Sequence, residues 1–106
     1  PRLENYRYYQ IAKNMALYHH ENWNGTGYPG GLKGKDIPLE ARIMAVADVF
    51  DALISKRLYR EARTIEQAYV IIKAGAGTQF DPEVAAAFII ARPKIEKVVR
   101  EKIYHM

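Results

Sequence analysis

The sequence predicts an all-α fold, a helical bundle of about five helices, on three observations. Apolar residues recur at helical spacing, capping signals open and close the periodic segments, and no segment shows the strict alternation of a β-strand. Two breaks divide the chain. Residues 24–38 carry five of the seven glycines and two prolines, so they cannot form regular structure. The second break runs from Gly75 to Pro82.

Ahead of the first break, Tyr8, Ala12, Met15 and His19 share one helical stripe, which places a helix within residues 3–21. Pro38 suits the first turn of a second helix of about 18 residues, with Ile43, Ala47, Phe50 and Ile54 as its apolar stripe. Thr64 and Gln67 form a capping box for a third helix. This helix takes in Val70, Ile71 and Ile72 despite their β preference, and it ends near Gly75, a favourable C-cap. Asp81-Pro82 reads as the N-cap and first turn of a fourth, Ala-rich helix. Pro93 opens a fifth, with Ile95, Val99 and Ile103 on one side.

Composition narrows the functional classes. The 106 residues amount to one domain, and 49% hydrophobic with 26% charged residues excludes a disordered chain. The absence of cysteine excludes a disulfide scaffold and a thiolate metal site. No apolar run approaches the roughly 20 residues that span a bilayer, and no signal-peptide pattern opens the chain, so a cytoplasmic location without membrane insertion is expected. The net charge of +4 suits a phosphate-bearing partner and equally a solvated basic surface. With no helix-turn-helix, RNP or zinc-finger pattern, duplex nucleic acid is not an expected partner. The first residue is Pro1 rather than Met, as in a fragment, a processed product or an excised domain.

Few residues could carry chemistry. His19 and His20 are adjacent, and neighbours on a helix point about 100° apart. The pair could serve two metals side by side, or one metal and a substrate phosphate; equally, both could be packed or exposed without function. Asp48 sits in the apolar run Ala45-Val46-Ala47-Asp48-Val49-Phe50, where a carboxylate is costly unless paired or metal-bound. Asp51, one turn on, reads as a supporting acid or a solvated one. Arg57 and Arg60 could clamp a phosphate, or simply decorate a helix C-terminus. Tyr59 and Tyr28 could stack on a base. Glu21 could orient an imidazole or lie on the surface, and Trp23 is expected to anchor its loop to the core. His105, beside the terminus, is read as incidental.

Taken together these pieces are more specific. His19-His20-Glu21-Asn22-Trp23-Asn24-Gly25-Thr26-Gly27-Tyr28-Pro29 resembles HHExxDGxGYP, the signature of HD-GYP domains in the HD-domain metal-dependent phosphohydrolase superfamily. Gly31-Leu32-Lys33-Gly34, Ile37 to Ile43, Ala45 to Leu53, Arg57-Leu58-Tyr59-Arg60 and Gly77-Thr78-Gln79-Phe80-Asp81-Pro82 continue the likeness. It implies an HD-domain-like helical bundle and a cyclic di-GMP phosphodiesterase that uses two or more divalent ions, iron or manganese. It further implies His19, His20 and Asp48 as metal ligands, Tyr28 and Pro29 at the substrate, and Arg57 and Arg60 on its phosphates. Receiver and GGDEF domains are the partners that the likeness suggests.

Three departures matter. Asn24 stands in place of the usual Asp, and both suit a turn before Gly25. Leu58 stands where proline is frequent. The His-Asp doublet and a further upstream histidine of the family have no counterpart in residues 1–106, which therefore read as a partial domain truncated on its N-terminal side. No catalytic residue is assigned. Two or three ions need more than three protein ligands, so this stretch alone is expected to be inactive. The alternative is a degenerate module that binds a nucleotide or a protein without hydrolysis. Tyr6, Tyr8, Tyr9, Ile11 and Met15 exceed what one buried face needs, and they predict self-association.

Overall fold

The computed structural model describes residues 2–55 and 64–104 of the chain. Five helices follow in order: α1 (Arg2–Tyr18), α2 (Leu39–Ser55), α3 (Ile65–Ala74), α4 (Pro82–Ile90) and α5 (Arg92–Tyr104), with a 3-10 turn at Gly34–Asp36. No strand occurs among the described residues, and the all-α bundle is the observed architecture. Among the described residues no helix is long and apolar enough to cross a membrane.

Local signals act as the sequence predicts. Thr64 Oγ1 accepts from the Gln67 amide at 3.1 Å, and Gln67 Oε1 accepts from the Thr64 amide at 3.0 Å. This capping box satisfies two of the donors that a helix start leaves orphaned. Asp81 Oδ1 accepts from the Glu83 amide at 2.8 Å and caps α4, with Pro82 in its first turn. The Val70-Ile71-Ile72 run lies inside α3. The fifth helix begins at Arg92, one residue before Pro93.

α1 ends at Tyr18, so His19 and His20 occupy the turn that follows rather than the helix body. Its stripe is also not a buried one: Tyr8 and Ala12 are exposed, and only Met15 and His19 are half-buried. α2 buries Ala41, Ala45, Val46 and Phe50, whereas Ile43 and Ala47 of the expected stripe are exposed. The reason is that α2 is apolar on more than one side, and α3 and α4 pack on the Val46–Phe50 side.

The core is Val46, Phe50, Ala68, Tyr69, Ile72, Phe80 and Ala85, with Ile95 and Val99 of α5 against it. Phe50 lies 5.1 Å from both the Tyr69 and Phe88 rings, in the range where tilted aromatic pairs attract. Gly75 closes α3 in ordinary right-handed conformation, so the left-handed freedom of glycine is not its role. A Cβ there would lie 2.7 Å from the Phe80 ring, and glycine is what lets that ring seat under the helix end. Arg92 stacks on Tyr69 with its guanidinium carbon 4.7 Å from the ring centre, and it pairs with Glu66 and Glu96.

The Tyr69 hydroxyl is buried without a hydrogen-bond partner. Burial, and after it the nearby Glu96 charge, push its pKa up. A buried hydroxyl that forgoes its bonds costs roughly 1–3 kcal/mol. Tyr69→Phe is therefore expected to leave stability unchanged or raise it by up to about 1 kcal/mol. A urea midpoint clearly lowered by this change contradicts the expectation.

Candidate functional site

The site is built where the two loops meet. The Trp23 amide donates to Gln79 O at 3.1 Å and the Asn24 amide to Thr78 O at 2.9 Å. Gly34 N–H returns to Trp23 O at 2.9 Å. Trp23 thus holds its loop through its main chain, whereas its half-buried ring stands outside the core cluster, contrary to expectation. Asn24 Oδ1 accepts from the Thr26 amide at 3.1 Å and its hydroxyl at 2.6 Å. These are acceptor roles that an aspartate fills equally well, so Asn24 preserves this turn.

Against this seam lies an open cleft of about 390 Å³. His19, His20, Asn22, Thr26, Tyr28, Asp48 and Gln79 are among its lining residues. His19 Nε2 stands 3.9 Å from Asp48 Oδ2 across the α1–α2 seam. His19 Nδ1 lies 2.7 Å from Met15 O. A carbonyl only accepts, so Nδ1 carries the proton, which leaves Nε2, the nitrogen that faces Asp48, as the one able to ligate a metal. The C-terminal end of α1, the negative end of its dipole, also favours a cation here.

His20 turns elsewhere. Its ring is 4.0 Å from His19 but lies parallel to Tyr28 at 4.9 Å, within 16°. Among the described residues no group of three or more His, Asp or Glu is placed to hold a metal ion. The donor chemistry of His19 and Asp48 fits a divalent ion, and the structure brings those two together.

Glu21 is 3% exposed. Its Oε2 accepts from the Gly30 amide at 2.7 Å and its Oε1 from the Leu32 amide at 3.0 Å. It therefore orients the loop, while the Met15 carbonyl orients the His19 imidazole. Tyr28 faces the cleft. Pro29 follows a cis peptide bond, is exposed and stands outside the lining. Asp51 lines a different groove with Ile54, Phe88, Lys94 and Val98, and the Ser55 hydroxyl lies 3.5 Å from it. Arg57 and Arg60 lie outside the described residues.

Sequence reading missed three contributors. Gln79 and Thr26 carry no local signal of a binding role, since only folding brings them to one wall. Asp81 was legible as a helix cap, but its partner Arg42 is 39 residues away. Arg42 Nη1 reaches Asp81 Oδ2 at 2.7 Å, and its Nε donates to Ile37 O at 2.9 Å. Burial alone raises the Asp81 pKa; the Arg42 hydrogen bond, those from the Glu83 and Val84 amides and the Arg42 charge outweigh it and hold the carboxyl below its ordinary value.

The chain is 58% identical over 80 residues to a probable cyclic di-GMP phosphodiesterase of Vibrio cholerae, covering 76% of this chain and 18% of that protein. It is 49% identical over 92 residues to the cyclic di-GMP phosphodiesterase response regulator RpfG of Xanthomonas campestris, covering 87% and 24%. Among solved structures, a cyclic GMP-AMP specific phosphodiesterase of V. cholerae superposes with a TM-score of 0.60 at 30% identity, covering 86% of this chain and 21% of that one. The chain thus spans about a fifth of the length of these relatives. The family model described as HD domain matches residues 3–84, and with the two-loop cleft and its His19–Asp48 pair it leads to one conclusion: this chain belongs to the HD domain family.

Proposed function

We propose that residues 1–106 are part of an HD-GYP domain in a metal-dependent phosphodiesterase acting on cyclic di-GMP or a related cyclic dinucleotide. The observation that carries this reading is the convergence of His19, His20, Asp48 and Tyr28 on one cleft of about 390 Å³. His19 Nε2 and Asp48 are suited to hold a divalent ion, iron or manganese, with His20 joining them once its ring turns from Tyr28. When bound, the ion neutralises phosphate charge and makes water a stronger nucleophile. Tyr28 offers a flat face on which a purine can stack at the cleft mouth. Asn22, Thr26 and Gln79 supply polar groups along the walls. Arg57 and Arg60 belong to the same reading as phosphate contacts, and Asp51 as a distant acid. The remaining metal donors come from elsewhere in the protein, since three ligands do not complete a multi-metal site. A cytoplasmic location, contacts with receiver or GGDEF domains, and self-association through the α1 tyrosines extend the proposal.

Metal analysis of protein purified without chelator, paired with a cyclic di-GMP hydrolysis assay, tests it. The whole protein is expected to hold iron or manganese and to turn over substrate, whereas the 106-residue piece alone shows negligible turnover. His20→Ala is expected to lower the activity of the whole protein by roughly 100-fold, at least the loss seen when outer partners of a metal are removed. Nucleotide binding that is indifferent to chelator, with no hydrolysis by the whole protein, overturns the enzymatic reading in favour of a binding module.

A further inference from the structure

Glu21 is a charged side chain in a nearly closed environment, and it touches neither His19 nor Asp48 by any bond the structure shows. A buried carboxylate is expensive unless its oxygens are engaged. Both are engaged, by the amides of Gly30 and Leu32, nine and eleven residues downstream. Between those amides and Glu21 the chain makes one more crossing, from the Tyr28 amide to His20 O at 3.3 Å. Gly27 lies directly on the His20–Asn22 backbone, so close that a Cβ would fall 2.4 Å from both His20 O and Asn22 N. Residues 27–32 are thus laid over residues 20–22, and two of the three hydrogen bonds that hold them end on one side chain.

The consequence falls on Tyr28, whose backbone sits between Gly27 and the Gly30 anchor. Tyr28 is 62% exposed, and among the described residues its ring partner is His20, parallel at 4.9 Å. Among the described residues little else restrains that ring, so the backbone position set by Glu21 decides whether it stands at the cleft mouth. We infer that Glu21 is a positioning residue: through Gly30 and Leu32 it holds Tyr28 at the cleft, beside His20 when no metal is bound, and so sets the aromatic wall on which a nucleotide base of the substrate stacks. This rests on the phosphodiesterase reading above for the identity of the ligand, but not for the placement of the ring.

Two measurements on the whole protein separate those parts. The first is the ring-current shift that Tyr28 imposes on the His20 imidazole protons in the metal-free protein, the state in which the two rings stack, read by NMR. Glu21→Gln keeps one acceptor oxygen and turns an NH₂ group toward a backbone N–H, so the shift is expected to collapse toward that of Tyr28→Ala. Glu21→Asp, one methylene shorter and less disruptive to folding, is expected to move it part of the way. A shift unchanged in both variants overturns the positioning role whatever the enzyme does.

The second is kinetic. With cyclic di-GMP as substrate, Glu21→Gln is expected to raise KM about tenfold with kcat within about twofold, because the stacking wall contributes binding shared by ground and transition states. Metal content per chain is expected to stay at the wild-type level. In a Tyr28→Ala background, Glu21→Gln is expected to change KM by less than about twofold, since a residue that acts through Tyr28 has nothing left to place. Loss of metal together with kcat, or effects of the two substitutions that multiply independently, overturns the inference while leaving the phosphodiesterase reading intact. A wild-type protein that hydrolyses no cyclic dinucleotide removes the assigned ligand, and the NMR shift then decides the placement alone.

Discussion

Replacing Asp81 by alanine is expected to destabilise the fold by about 3–5 kcal/mol, the usual cost of breaking a buried ion pair by removing one partner. Asp81 is 3% exposed and Arg42 is also largely covered, so the guanidinium left behind has poor access to water. Two further losses follow. The Glu83 and Val84 amides lose the cap of α4, and the tie between the start of α2 and the second loop is cut. A domain of this size is stable by only about 5–15 kcal/mol, so the loss is a large share of the total. Asp81→Asn, which keeps a capping oxygen but no charge, is expected to cost less.

The same carboxylate makes a pH prediction whose sign is fixed. The folded pKa of Asp81 lies below its ordinary value of 3.8. Its contribution is therefore fully present above the unfolded value and is lost as pH falls through the folded one. The gap in urea midpoint between wild type and Asp81→Asn is expected to be largest near neutral pH and to shrink toward about pH 2. A gap that stays constant over that range shows that Asp81 acts by packing alone.

On the phosphodiesterase reading, Gly27→Ala is expected to lower cyclic-dinucleotide binding by the whole protein at least about tenfold, the scale of losing one base-stacking contact of about 1–3 kcal/mol. The added methyl would sit 2.4 Å from His20 O and Asn22 N and 2.7 Å from Glu21 Cα. All three are main-chain atoms next to a buried carboxylate, so the loop has to lift. Lifting separates Tyr28 from His20 and pulls Gly30 and Leu32 from Glu21. Gly34→Asn is the matched control: its φ of +59° is one that Asn tolerates, and nothing lies within 4 Å of its missing Cβ. Binding in that variant is expected to stay within about twofold of wild type. Titration of both variants with a fluorescent cyclic dinucleotide checks the pair, and equal affinities contradict the steric argument.

Local chemistry made much of this fold legible before any coordinates. The Thr64–Gln67 capping box and the Asp81-Pro82 start work over three residues or fewer, so nothing distant can redirect them. Glycine and proline placement delimited both loops for the same reason. The pairing of His19 with Asp48 was suggested by the likeness to HD-GYP domains, and local spacing alone left both residues open to a structural reading. Periodicity showed that α2 is a helix but misjudged its buried face, because several apolar stripes compete on it and only α3 and α4 choose among them.

Local sequence signals specified the helical class and the helix starts, because caps, turns and periodicity are short-range effects, and the candidate cation and nucleotide residues came from the likeness to HD-GYP domains. Tertiary structure alone decided where those residues point. It turned His20 onto Tyr28, buried Glu21 beneath the loop, joined Arg42 to Asp81 across 39 residues and set Trp23 and Asn24 on the carbonyls of Gln79 and Thr78. Such contacts depend on burial and on hydrogen bonds between distant segments, and no local pattern encodes which distant group will arrive.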